Sequence, residues 1–223
     1  MLDAEQVATF HRRGFLALED AVGAEVLNPV RAEYSDLLRD LANGWGIEWR
    51  GFWPTLRDAH LAGHDWFQPF DISLPGGEIA ADTPFHAGPA VFDMLTAPAV
   101  LDIAEALLGP EITSTPIQHL RIKPPAAEVA AGEDRAHVTV TSWHQDRGVA
   151  HAEADATDMV TVWIAMSDAT EENGCLVVQP FDGAQAMLPH CPLRQTAIPD
   201  AFLDAGRAEA VPVRAGGIVL LHP

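Results

Sequence analysis

The residues whose types and spacing best suit chemistry are His144 and Asp146, in the run Trp143-His144-Gln145-Asp146. The run closes a stretch rich in β-forming residues, and side chains two apart on an extended backbone point to the same face. One imidazole and one carboxylate can therefore reach one cation. The pair supplies two of the three donors of a 2-His-1-carboxylate arrangement, which leaves three positions on iron(II) open for a chelating co-substrate and dioxygen. The remaining ligand must come from another strand. With 10 histidines in the chain, roughly one His-x-Asp triplet is expected by chance, so context has to decide.

Ahead of the pair, His119, Arg121 and Lys123 alternate with Leu120 and Ile122. On a strand the polar three share one face. If that face points inward, His119 and Arg121 can contact a co-substrate; if outward, Arg121 and Lys123 meet solvent while Leu120 and Ile122 pack. Thr161 and Trp163 pose the same choice on their own strand. His11, His60, His64, His86, His137 and His190 have no partner at metal-ligand spacing and read as surface or capping groups. His151-Ala152-Glu153 repeats the spacing, but it follows Gly148 in a loop without a flanking strand and ranks behind the first pair.

These side chains need elements to hold them. Asp3 can cap a short helix with Val7 and Phe10 on one face, Gly14 stops it, and residues 15–18 read as a strand. Val26, Val30, Tyr34, Leu37, Leu38 and Leu41 recur at three- and four-residue steps, which predicts a helix over about 24–41 ended by Gly44. Residues 45–89 are expected to be an irregular connection. Its Trp45, Trp49, Trp53 and Trp66 are expected to pack and seal the domain, with an aromatic substrate lid as the alternative. A further helix is predicted over about 90–108, stopped by Gly109-Pro110. Short β-rich runs follow at 117–122, 137–143, 159–166, 175–178 and 211–221. Helices first and strands later, without βα alternation, point to an α+β domain with a sandwich or barrel of sheets, not a doubly wound nucleotide fold.

Composition narrows the partners. A chain of 223 residues, 48% hydrophobic, is expected to form one globular domain. Its 13 basic against 32 acidic residues, net −19, disfavour nucleic acid and anionic membrane surfaces, and that acidity reads as a hydrated surface. The 2 cysteines, Cys175 and Cys191, provide neither a disulfide framework nor a cysteine metal set, which fits a reducing cytoplasm. The opening MLDAEQVATFHRRGF lacks a basic start and an apolar centre, so no signal peptide is expected, and no run reaches membrane-spanning length.

The ordered motifs resemble the phytanoyl-CoA dioxygenase family of iron(II)- and 2-oxoglutarate-dependent oxygenases. FHRRGFLALED, from Phe10 to Asp20, is similar to its opening helix, glycine and strand, and Ile122-Lys123-Pro124-Pro125 to its lysine-proline element. Val162-Trp163-Ile164-Ala165-Met166 and then Asn173-Gly174-Cys175-Leu176-Val177-Val178 resemble its tryptophan strand and asparagine-glycine hairpin. The run from Ala215 through Gly216-Gly217-Ile218-Val219-Leu220-Leu221 to His222-Pro223 resembles the strand leading to its distal histidine. The resemblance implies a double-stranded β-helix (jelly-roll, cupin-like) with N-terminal helices packed against it. The helical part would span about 1–110 and the β part about 111–223. It also implies iron(II) held by His144 and Asp146, and 2-oxoglutarate decarboxylation coupled to hydroxylation of a small organic substrate by dioxygen. His119, Arg121, Thr161 and Trp163 are the candidate 2-oxoglutarate pocket. The retained acid at Asp146 points to hydroxylation over halogenation.

Two departures stand out. In the family the third ligand lies a few residues past the counterpart of His222-Pro223, and the arginine for the co-substrate lies further on. Neither is in these residues, which is expected to reflect a truncated reading frame that omits the C-terminal strands; His222 itself is set aside as a ligand. Pro180-Phe181-Asp182-Gly183 stands where the family has a glycine-serine-histidine turn after the proline. The alternatives are a non-catalytic β-helix binding protein that has lost the third ligand and, behind it, a cupin-like metal enzyme of another class.

Overall fold

The computed structural model describes residues 2–74, 79–115, 118–133, 138–150, 156–181, 186–193 and 195–223. Helix α1, Ala4–Arg13, begins in a reciprocal capping box: Asp3 accepts the Gln6 N–H at 2.8 Å and the Gln6 side chain accepts the Asp3 N–H at 2.9 Å. It closes at Gly14, and β1, Phe15–Leu18, follows at once. Helix α2, Ala24–Trp45, buries Val30, Tyr34, Leu38 and Ala42 along one face. It passes the expected stop at Gly44, since one glycine in a long packed helix costs only about 1 kcal/mol. The chain turns instead at Gly46, whose φ is 71°.

The stretch expected to be irregular contains α3, Phe52–Leu61, and the single turn α4, Phe67–Phe70. Pro54 hides the first from pattern reading, yet it lies in the first turn, where no N–H is needed. Trp66 is 3% exposed among Phe67 and Phe70, Trp45 stacks on His64 at 4.8 Å, and Trp49 lies 4.7 Å beneath the Arg39 guanidinium. Only Trp53 of the four is largely exposed, at 58%. Three indoles thus pack against neighbouring groups, as ordinary burial requires.

The long helix expected before Gly109 is two helices, α5, Pro89–Leu95, and α6, Pro98–Leu108. Pro98 disfavours helical torsions at the residue before it, and Ala97 takes φ −59°, ψ 136°.

The strands are shorter than the β-rich runs that announce them. They are β2, Thr161–Ile164; β3, Leu176–Val178; β4, Cys191–Pro192; β5, Thr196–Ala197; β6, Glu209–Val211; and β7, Ile218–Leu221. The expected run 211–221 is broken by the turn at Gly216, where φ is 88° and a Cβ would stand 2.3 Å from the Val22 carbonyl. The β4–β5 hairpin has no counterpart among the expected strands. The described parts of the runs 117–122 and 137–143 form no ladder.

Three antiparallel sheets result, in the orders β1-β7-β2, β3-β6 and β4-β5, so the described residues form a mixed helix and sheet fold. Strand β7 lies between β1 and β2, with Leu221 opposite both Phe15 and Thr161. Alternation along it divides the interior. Ile218 and Leu220 join the cluster built on the helices, with Phe10, Leu38 and Phe70. Val219 joins a second cluster with Phe15, Ala165 and Val213. Ile218, Val219 and Leu220 are each 0% exposed, so each contributes about 1.5–3 kcal/mol of burial. No helix among the described residues is long and apolar enough to cross a membrane.

Candidate metal centre

Gln145 is extended, at φ −105° and ψ 137°, and this single residue sets its neighbours to the same side. Asp146 then opens one helical turn, Asp146–Val149, here α7, so the pair stands at the mouth of a turn instead of the end of a strand. His144 Nε2 and Asp146 Oδ1 converge to 3.2 Å. Two donors each about 2.1 Å from one cation at right angles would be about 3 Å apart, so the spacing fits a shared first-row metal.

Each group has its other polar atom engaged. His144 Nδ1–H donates to the Ser142 carbonyl at 2.8 Å, which turns Nε2–H toward the aspartate. Thr161 Oγ1–H donates to Asp146 Oδ2 at 2.5 Å, leaving Oδ1 facing the imidazole. The hydrogen bond to Asp146 raises the His144 pKa, with the Ser142 contact adding to it against the opposing effect of burial. For Asp146, burial pushes the pKa up, but the bonds from His144 and Thr161 outweigh it and the net shift is downward. The net result favours the charged carboxylate that a cation needs. Nitrogen and carboxylate oxygen donors, with no thiolate, suit iron. Among the described residues, no group of three or more His, Cys, Asp or Glu is disposed to hold a metal ion.

Of the predicted pocket residues, Thr161 touches the pair directly, through Asp146. Leu120 and Ile122 pack on the helix-side cluster, so the odd residues 119, 121 and 123 belong to the opposite face. Arg121 still reaches solvent while protein atoms crowd its guanidinium; that crowding lowers its pKa, opposed by the charges of Asp71 and Asp146. Lys123 Nζ donates to the Thr139 carbonyl at 2.6 Å, and burial, then repulsion from Arg121, pushes its pKa down to about 8. On β2, Val162 and Ile164 pack on the helix side, whereas Trp163 packs on the second cluster and Thr161 holds Asp146. His119 is tied elsewhere: its Nδ1 lies 2.9 Å from an oxygen of Asp71, a carboxylate only 4% exposed.

His222 does not join the pair. Its ring stacks on Phe10 at 5.6 Å and lies edge-on to Phe181 at 5.7 Å, and its N–H donates to the Gly14 carbonyl at 2.9 Å. Burial lowers its pKa. The altered turn after Pro180 is described only through Phe181, whose N–H donates to the Arg13 carbonyl at 2.9 Å; its Asp182 and Gly183 lie outside the described residues, as do His137 and the rival His151-Ala152-Glu153.

Of the other histidines, His86 pairs with Glu33 at 2.7 Å, His60 bonds to the Glu128 carbonyl at 2.9 Å, and His64 stacks on Trp45. His190 contacts the metal motif, which its lone position in the sequence gave no means of anticipating. Asp71 was also missed, because an acid in a segment without periodicity carries no signal of burial. Ser73, 8% exposed, explains how residue 118 is held without a ladder: its hydroxyl both donates to the Gln118 carbonyl and accepts the Gln118 N–H, each at 2.7 Å.

The described residues thus combine helices on one side of β7, a small second core on the other and a His-x-Asp pair at the mouth of a helical turn. Residues 10–223 match the phytanoyl-CoA dioxygenase (PhyH) family, and the chain belongs to that family. Among solved structures it is similar to EvdO2 from Micromonospora carbonacea var. aurantiaca, with 20% identity over 99% of this chain and 81% of that one and a TM-score of 0.54. The complex of EvdO2 with 2-oxoglutarate gives a TM-score of 0.51 at the same identity and coverage. The epimerase SnoN in complex with Fe3+, alpha ketoglutarate and nogalamycin RO is similar over 98% of this chain and 73% of that one, at 16% identity and a TM-score of 0.51. Likeness at these identities is likeness of fold. No curated protein sequence matches the chain.

Proposed function

We propose that this chain is an iron(II)- and 2-oxoglutarate-dependent oxygenase that hydroxylates a small organic substrate, built as one double-stranded β-helix domain over residues 1–223 with its helices packed outside. The carrying observation is the 3.2 Å approach of His144 Nε2 to Asp146 Oδ1, with the remaining polar atom of each group engaged by Ser142 and Thr161. Family membership over 10–223 supports the same cofactors. Two free cysteines are in keeping with a cytoplasmic location.

His144 and Asp146 would hold the metal, and Thr161 would keep Asp146 monodentate. The bound iron would supply the oxidising chemistry by which 2-oxoglutarate, dioxygen and R–H give succinate, carbon dioxide and R–OH. Arg121, with a planar fork of donors, is the group best shaped to receive a carboxylate of 2-oxoglutarate. Lys123, with a pKa near 8, remains mostly cationic at neutral pH and adds to the local positive field. Trp163 would wall the pocket with apolar surface and keep water from the reacting carbon. His119, oriented by Asp71, completes the candidate pocket.

The test is anaerobic addition of iron(II) and 2-oxoglutarate to the protein, followed by air and measurement of succinate. The expected result is a visible charge-transfer absorption on mixing and succinate on aeration, both lost in His144→Ala. Absence of metal and 2-oxoglutarate binding would overturn the reading. A second reading, a binding protein without catalysis, is favoured by the convergence of only two donors among the described residues. It predicts the absorption without succinate.

A further inference from the structure

The residue between the two proposed ligands is itself held from behind. Gln145 points its side chain away from His144 and Asp146, into residues 186–190. Its Oε1 accepts the Leu188 N–H at 2.8 Å, and its own backbone N–H donates to His190 Nε2 at 2.9 Å. The ring's other nitrogen, Nδ1, lies 2.9 Å from the Leu188 carbonyl. Only one protonation state satisfies all of this. A backbone N–H can only donate, so Nε2 carries the lone pair, Nδ1 carries the hydrogen, and the ring is neutral. Two neighbouring contacts repeat the linkage, Ile198 N–H to the Trp143 carbonyl at 2.7 Å and Ser142 N–H to Gln195 Oε1 at 2.9 Å.

The fit is steric as well as polar. A Cβ on Gly148 would stand 2.2 Å from His190 Cε1, so the imidazole fills the hollow of the turn that begins at Asp146. The torsions of Gln145 decide whether the His144 and Asp146 side chains meet at one point. A segment free to turn there would lose entropy on every binding event, whereas one already fixed would not.

We propose that His190 is a positioning residue of the metal motif: it grips the Gln145 amide and fixes the angle between His144 and Asp146 before a cation arrives. This rests on the reading of those two residues as ligands. The part is distinct from that of Ser142 and Thr161, which orient the ligand side chains, because His190 acts on the backbone joining them.

The experiment titrates the protein with Mn(II), followed by electron paramagnetic resonance, in wild type and in His144→Ala, His190→Ala and His190→Gln. His190→Ala should bind about 10- to 100-fold more weakly, the usual loss when an outer partner of a ligand is removed. His190→Gln, whose amide oxygen can accept the same N–H, should recover most of it. Undiminished binding by His190→Ala, or no recovery in His190→Gln, overturns the proposal while leaving the ligand reading intact. No binding by wild type, or equal binding by His144→Ala, overturns both. Hydrogen exchange in the unmutated protein gives a check that needs no variant to fold. The Gln145 amide should exchange far more slowly than an exposed amide, and fast exchange there would equally overturn the proposal.

Discussion

Replacing Thr161 by valine removes one hydroxyl from a strand position that valine otherwise suits, and so isolates the 2.5 Å bond to Asp146 Oδ2. A hydrogen bond to a charged group contributes about 1.5–3 kcal/mol. Asp146 retains 28% exposure, and water can take over part of the lost contact, which puts the expected cost near the lower end, about 1.5 kcal/mol. For a chain of this length that is a fall of about 3–6 °C in Tm, read by calorimetry on the metal-free protein. The larger effect falls on the cation. Freed of Thr161, Asp146 can turn Oδ2 toward the metal or swing away from His144, and Mn(II) affinity should fall about 10- to 100-fold. Thr161→Ser keeps the hydroxyl and should stay within a few-fold of wild type. Unchanged Mn(II) affinity in Thr161→Val would refute the assignment of Asp146 as an oriented ligand, whatever happened to Tm.

Leu220→Ala empties a fully buried position on the central strand and should cost about 2–5 kcal/mol, measured as a shift in urea midpoint with little change in slope. Glu33 is desolvated, which alone would raise its pKa, but bonds from the Ala90 N–H and His86 carry the net shift below the usual 4.5. Its stabilising contribution is therefore complete above about pH 4.5 and lost as pH falls through the lower folded value; the stability difference between wild type and Glu33→Gln should shrink as chemical melts are moved from pH 6 toward pH 3. Arg121→Gln should weaken 2-oxoglutarate binding, followed by the charge-transfer absorption, while Mn(II) affinity stays within a few-fold of wild type. Equal 2-oxoglutarate binding would remove Arg121 from the pocket.

What could be read in the chain beforehand follows from the range of the forces involved. The capping box at Asp3, the apolar face of α2 and the alternation around Leu120 and Ile122 are local, and each is legible within a few residues. The division of the helix before Gly109 was equally local: Pro98 signals it, but the apolar stripe ran through the break and masked it. The β4–β5 hairpin was not legible, because two-residue strands are too short to show a period. Asp71 and His190 illustrate the real limit. Their roles are set by partners 48 and 45 residues away, and sequence spacing carries no trace of such meetings.

The charge balance ties the site to the rest of the molecule. A net charge of −19 attracts a divalent cation and repels 2-oxoglutarate, itself a dianion. At physiological ionic strength both effects fade beyond about 8 Å, so the surface charge influences the approach while the nearest side chains determine what is held. In the proposed site Asp146 would give the cation one full negative charge, and His144, held through Nδ1 by Ser142, would release its Nε2 proton to solvent and add a lone pair without further charge. The anion would need the opposite sign within a few ångströms, and in the proposed pocket Arg121, which feels the charges of Asp71 and Asp146, and Lys123, anchored on Thr139, would provide it. Alternation along one segment would therefore do two jobs at once in the proposed pocket: Leu120 and Ile122 hold it to the helices, and that same attachment would let its cations meet an anionic co-substrate on the other face.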